Sequence, residues 1–549
     1  MTKNEKWQSL DGVWDFAFTE KGLEELDIKN INFDTASSVP GCFDTLPEYY
    51  NFRGTGIYRR TVVCGGLVRL FSGGVTLRGA VYFDGALIGN LEHPLTPEEM
   101  IFDAGERKEH TLIIAVENIF HEENSSMFHQ YYDYYGFGGI CREVTLEELP
   151  SCYMERISVV PLSYETGEVK VTVYFGGLLP ENGVISIQFD TEEKEEKFSF
   201  SGEKFETVRK VPCHKVWSPE TPFMHNVKIA IDGQEKKISF GIRVLSWKDG
   251  KLSINDKELK LIGYNRHDSH PQFGYAVPLT LAASDLHQIK SQGCNFIRGC
   301  HYPQSHGFLE LCDRMGMLVW DETLAWGNKE EHLADPLFRQ RQKEAARLMV
   351  RDSINHPSVI MWGFLNECAS HTLPGYELIS QLRQTILEED TSRPITFASS
   401  RGTQELCLDL VDIVSYNAYP GWYLGINEAR PFHLVASTFD ELLAFAEEKG
   451  SGNKPFIISE VGCAAIIGER NGERWSEDYQ SELLSEVVKY TLNNKKVTGL
   501  AIWQFCNSRT YAATSGIIVR PRALNNKGVV DEYRRPKLAY YTIKNMLKK

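Results

Sequence analysis

The chain has 549 residues, 42% hydrophobic and 24% charged, a composition typical of folded soluble proteins and too long for a single core. A net charge of −15 repels phosphate backbones and argues against nucleic-acid binding, and no uninterrupted apolar run is long enough to span a bilayer. The first residues lack the apolar stretch of a secretory signal, so a cytoplasmic protein is expected. The 12 cysteines form no Cys-x-x-Cys pair, and Cys294 and Cys300 flank a predicted strand, so free thiols are expected. No His-Glu-x-x-His, EF-hand or P-loop pattern occurs, so no metal or cofactor is called for.

Residues 1–150 carry short alternating runs such as Val13-Trp-Asp-Phe-Ala-Phe18 and Val81-Tyr-Phe83, broken by turn clusters at Ser72-Gly-Gly74 and Asp84-Gly85. That rhythm predicts an antiparallel sandwich. Residues 151–245 repeat it, with Val169-Lys-Val-Thr-Val-Tyr174 and Val184-Ile-Ser-Ile187, over the length of an immunoglobulin-like sandwich.

From 246 to 549 strands and helices alternate. Candidate strands are Leu259–Ile262, Asn295–Arg298, Met317–Trp320, residues 359–364, Ile395–Phe397, Ile413–Tyr416, residues 456–459 and Gly499–Trp503. Eight strands in roughly 300 residues predict a (β/α)₈ barrel, whose chemistry sits at the C-terminal strand ends. Those ends are rich in polar and aromatic residues: Asn265-Arg-His-Asp268, Arg298 with His301-Tyr-Pro303, Asp321-Glu322, Asn366-Glu367, Tyr416-Asn-Ala-Tyr419, Glu460 and Trp503-Gln504. Amides and carboxylates hydrogen-bond sugar hydroxyls and aromatic faces stack on the ring, so this rim predicts a sugar pocket. Two glutamates at such a rim, Glu367 and Glu460, can flank a glycosidic bond as proton donor and nucleophile.

Asn295-Phe-Ile-Arg-Gly-Cys-His-Tyr-Pro303 and Asn355-His-Pro-Ser-Val-Ile-Met-Trp-Gly-Phe-Leu-Asn-Glu367 are similar to the two signatures of glycoside hydrolase family 2, with Gly299-Cys300 a small departure. The resemblance covers essentially the whole chain. It implies an N-terminal jelly-roll sandwich, an immunoglobulin-like sandwich and a C-terminal TIM barrel, with Glu367 as acid/base and Glu460 as nucleophile. Within the family, Asn525-Asn-Lys527 and Tyr419-Pro-Gly-Trp-Tyr423 resemble segments of β-glucuronidases. By composition alone Asn525-Asn-Lys527 would be only a polar turn.

The resemblance thus implies a retaining β-glucuronidase acting on small-molecule or oligosaccharide β-glucuronides, a homo-oligomer needing no cofactor. Asp133, His267, Asn366, Tyr419, Tyr423, Trp503, Asn525 and Lys527 are the expected sugar contacts, with Arg520 or Arg522 assisting at the carboxylate. A β-galacturonidase or β-galactosidase is the nearest alternative, and a decayed barrel that only binds carbohydrate is the alternative of another class. A short connection between Asp321-Glu322 and Asn355 predicts an open mouth.

Overall fold

A computed structural model describes residues 6–121, 134–511 and 520–548. The N-terminal region forms two antiparallel sheets. One orders Trp7–Ser9, Val144–Glu148, Leu67–Ser72 and Glu98–Asp103; the other orders Thr35–Val39, Gly12–Thr19, Thr55–Cys64, Lys108–Glu117, Arg78–Phe83 and Ala86–Leu91. Between them lies a core that includes Trp14, Phe16, Tyr58, Val68, Leu70, Val81 and Ile114. A second sandwich follows, from Cys152–Ser163 to Gln234–Phe240, with three strands against four. Val169, Val171 and Val173 face its core while Lys170 stays half-exposed, the period-2 pattern expected of a one-sided sheet.

The barrel strands are β1 (Leu261–Arg266), β2 (Phe296–Gly299), β3 (Leu318–Glu322), β4 (Val359–Phe364), β5 (Ile395–Phe397), β6 (Val414–Asn417), β7 (Phe456–Val461) and β8 (Val497–Ile502). Neighbouring strands pair in parallel, in the order β5-β4-β3-β2-β1-β8-β7-β6. The ring closes between β5 and β6 through Ser399 N donating to Ser415 O (3.1 Å) and Asn417 N donating to Ser399 O (2.8 Å). These strands are buried on both faces, which is why they read as continuous apolar runs. Inside, Leu261, Phe296, Leu318, Trp320, Met361 and Ile457 join one buried cluster with Trp217, Leu245 and Leu252, so the hairpin of Leu245–Lys248 and Lys251–Ile254 belongs to the barrel's interior core.

β1 reaches four residues beyond the predicted end because its polar residues are satisfied internally. Asn265 Nδ2 donates to Ser459 O and Ala501 O, and Arg266 pairs with Asp268 and Asp285 on the helix Leu279–Ser291. All twelve cysteines are free thiols.

Several hydrogen bonds fix the N-terminal regions on the barrel. Arg142 donates to Pro303 O (2.5 Å), Tyr135 N to Arg509 O (2.7 Å), and Asn355 bonds Ile157 and Val159 of the second sandwich (2.9 and 2.8 Å). Asn355, which opens the second signature, therefore joins domains and takes no part in the rim.

Candidate active site

β4 ends in a turn where Leu365 (φ 49°) and Glu367 (φ 54°) both take left-handed backbone. Non-glycine residues enter that region at a cost of about 1–2 kcal/mol each, so the neighbours must impose it. They do: Asn366 N donates to Ala325 O (3.0 Å), Glu367 N to Ala398 O (2.9 Å), and Arg401 grips the Glu367 carbonyl. The strand ends on either side thus aim Asn366 and Glu367 into the barrel mouth.

Arg298, at the end of β2 and fully buried, organises the floor. It donates to both Glu322 oxygens (3.0 and 2.8 Å), to Asn366 Oδ1 (2.7 Å), to Asn265 Oδ1 (3.1 Å) and to Glu460 Oε1 (2.8 Å). Gly363 makes room for this array, since a Cβ there would lie 2.0 Å from the Trp320 ring nitrogen and 2.9 Å from Glu322 Cβ. Tyr419 donates to the other Glu460 oxygen (2.6 Å). Asn417 Nδ2 bridges Asn366 Oδ1 (3.0 Å) and Glu367 Oε1 (2.9 Å), while Ser459 holds its carbonyl (2.8 Å).

Burial, and then the Glu367 carboxylate, push the Glu460 carboxyl up to about 8, against the pull of Arg298 and Tyr419. The two glutamates therefore keep one proton between them at neutral pH. Both Glu460 oxygens accept hydrogen bonds, from Arg298 and Tyr419, which favour its ionised form and limit the rise.

Glu367 and Glu460 open into one cavity of about 740 Å³, whose walls include Tyr419, Tyr423, Trp503, Arg520 and Lys527. Lys527 is 2% exposed; its Nζ donates to the Tyr423 hydroxyl (2.9 Å) and lies 5.0 Å from that ring's centre. Asn525 is buried and accepts from the Lys527 backbone N–H through Oδ1 (3.3 Å). Lys537 secures the segment from behind, donating to Asn526 O, Asn507 Oδ1 and Ala465 O. The carbonyl of Ala465 ties the Lys527 segment to the loop that follows Glu460.

The predicted residues thus separate into groups. Glu367, Glu460, Tyr419, Tyr423, Trp503, Arg520 and Lys527 share the cavity, with Asn366 beside Glu367. His267 lies deeper, against Tyr134, His301 and Trp503. Arg522 instead pairs with Glu532 (3.2 Å) and does not line the cavity. Asp133 lies outside the described residues. Arg298, Glu322, His301 and Asn417 appeared in the sequence only as polar strand ends; their adjacency at the floor depends on barrel closure. Arg401 sits beyond a strand end and carried no signal.

A parallel barrel with two glutamates in one cavity at its C-terminal rim defines a glycosidase-type site. The model of the glycosyl hydrolases family 2 TIM barrel domain matches residues 245–549, and the chain belongs to glycoside hydrolase family 2. It is similar to a crystal structure of a β-galacturonidase from Eisenbergiella tayi bound to galacturonate, with 33% identity and TM-score 0.91 over 99% of this chain and 97% of that one. A Faecalibacterium prausnitzii β-glucuronidase shares the fold, with TM-score 0.87 at 23% identity over 100% of this chain and 98% of that one. A β-glucuronidase of Chlorocebus aethiops is 27% identical over 434 residues, 75% of this chain but only 65% of the relative's length.

Proposed function

We propose that this protein is a retaining β-uronosidase that removes a terminal uronic acid from β-linked conjugates, with β-D-glucuronides as substrates. The observation that carries this reading is Lys527, a buried ammonium in the same cavity as the two glutamates. A protein of net charge −15 offers an anionic sugar no general attraction, so a local cation must supply it. Arg520 on the same wall adds a second.

In this reading Glu367 gives its proton to the leaving oxygen while Glu460 attacks the anomeric carbon, forming a glycosyl-enzyme. Glu367, now ionised, takes a proton from water, which displaces Glu460 and releases the sugar with its β configuration retained. Asn366 donates to the 2-hydroxyl, and Lys527 with Asn525 reads the carboxylate. The chemistry uses carboxylates alone and needs no cofactor.

A β-galacturonide substrate, which differs only at C4, is the second reading. Its support is the E. tayi relative, similar at 33% over 99% of this chain, against 27% over 75% for the C. aethiops glucuronidase. Nitrophenyl β-glucuronide, galacturonide, glucoside and galactoside assayed side by side test both. One uronide should exceed its neutral counterpart by at least about tenfold to a hundredfold in kcat/KM, the scale of a charged hydrogen bond. A neutral sugar turned over fastest would refute the uronosidase, and no turnover on any would support a protein that only binds carbohydrate.

A further inference from the structure

Beneath the cavity floor, parallel pairing brings the ends of the neighbouring strands β1 and β2 together. There the ligand atoms of His267, Cys300 and His301 lie within 4.8 Å of one another, all three residues buried. Both imidazoles leave Nε2 without a hydrogen-bond partner. At His301, Nδ1 lies 2.9 Å from the Glu322 carboxylate and 3.3 Å from Arg298 Nη2; the shorter contact, to the carboxylate, favours the ring proton on Nδ1 and a lone pair on Nε2. A carboxylate behind a histidine in this way fixes the tautomer and raises the basicity of the ligating nitrogen. His267 Nδ1 is 3.3 Å from the Tyr302 hydroxyl, an acceptor for its ring proton, and the nitrogen left unpartnered is again Nε2.

We propose that His267, Cys300 and His301 form a binding site for a thiophilic divalent cation, of which Zn²⁺ is the best match, and that the bound ion excludes the sugar. Two imidazoles and a thiolate suit zinc in a site that keeps a fourth, open position. The thiol must lose its proton to form the Zn–S bond, and that proton passes to bulk water. Two carboxyl groups, Glu322 and Glu460, stand beside the site, both paired with Arg298. Tetrahedral zinc holds its ligands about 3.5 Å apart, so the side chains close slightly around it. The ion then lies against Glu460, whose Oε1 is 4.0 Å from His301 Nε2. The competition rests on the assignment of Glu460 and this cavity to the sugar; the binding itself does not.

The test uses the full chain in thiol-free buffer, with Co²⁺ as the spectroscopic probe and Zn²⁺ as the competitor. One equivalent of Co²⁺ should give a near-ultraviolet thiolate-to-metal band that Zn²⁺ abolishes. Cys300→Ser should remove the band and weaken Zn²⁺ binding at least about tenfold to a hundredfold, as loss of a ligand costs no less than loss of an outer partner. The same variant should keep wild-type uronide kinetics. In the parent protein Zn²⁺ should raise KM and leave kcat unchanged, and this effect should be lost in Cys300→Ser. No thiolate band, or equal Zn²⁺ affinity in Cys300→Ser, would overturn the site. A band that depends on Cys300 without any rise in KM would uphold the site and overturn the competition, and with it the placement of the sugar over this floor.

Discussion

Asn417 shares one amide nitrogen between two neighbours, donating to Asn366 Oδ1 at 3.0 Å and to Glu367 Oε1 at 2.9 Å. A carboxyl held this way is aimed as well as placed. Asn417→Ala should therefore weaken proton donation, lowering kcat more for substrates with basic leaving groups than for nitrophenyl glycosides. Equal losses across a leaving-group series would show that the amide does not govern the acid.

Glu460→Ala should abolish nearly all turnover, because no glycosyl-enzyme can form. Azide should restore activity, giving an α-glycosyl azide, and NMR of the parent reaction should show the β sugar released first. An α sugar as first product would eliminate double displacement.

Lys527→Ala should lower kcat/KM for a uronide by at least about tenfold to a hundredfold, the equivalent of a lost charged hydrogen bond. Activity on the matching neutral glycoside should hardly fall, so the ratio of the two is the diagnostic quantity. Arg520→Ala should shift that ratio in the same direction, whereas Arg522→Ala, whose partner is Glu532, should leave it alone. An unchanged ratio in Lys527→Ala would mean that the carboxylate is read elsewhere.

Burial and a like charge raise the Glu460 carboxyl to about 8, well above the ordinary glutamate value. A carboxyl raised in the fold stabilises it below the unfolded-state value, and that contribution is lost as pH climbs towards 8. Glu460→Gln, which has no proton to lose, should therefore gain in Tm over the parent as pH moves from 5 to 9. Thermal melts across that range check it, and a constant gap would contradict the shift. The same loss of the shared proton should give kcat/KM an alkaline limb near pH 8.

Arg298 neutralises two buried carboxylates at once, Glu322 and Glu460. Arg298→Met would leave both unpaired, at a cost of roughly 3–5 kcal/mol in unfolding free energy. Chemical denaturation should show it, and a near-neutral effect would mean that the two acids take up protons instead.

The sequence conveyed the barrel well because its parallel strands carry no outward polar face, so Val359–Phe364 and Ile395–Phe397 stand out as closed apolar runs. It under-read β1, where Asn265 and Arg266 look like loop residues until their internal partners are known. Spacing could place Glu367 and Glu460 at the rim, yet it could not choose between Arg520 and Arg522, two residues apart on an irregular segment. Nor could it bring His267 to Cys300 and His301, which meet only because β1 and β2 pair in register.

The hydrogen bonds around Arg298 also bear on how such a protein can change. Asn265, Glu322, Asn366 and Glu460 all answer to one guanidinium, so replacing any of them disturbs the rest. On the cavity wall, by contrast, Tyr423 and Leu424 are 48% and 49% exposed and carry little of the fold. New leaving groups can be accommodated there one substitution at a time, while the reaction centre beneath tolerates almost no piecemeal revision. Lys527 spans the two regimes, buried among the fixed groups yet bonded to the exposed Tyr423. If Lys527 reads the sugar's carboxylate as proposed, a change at position 423 is the shortest route by which the entrance can retune the choice of sugar.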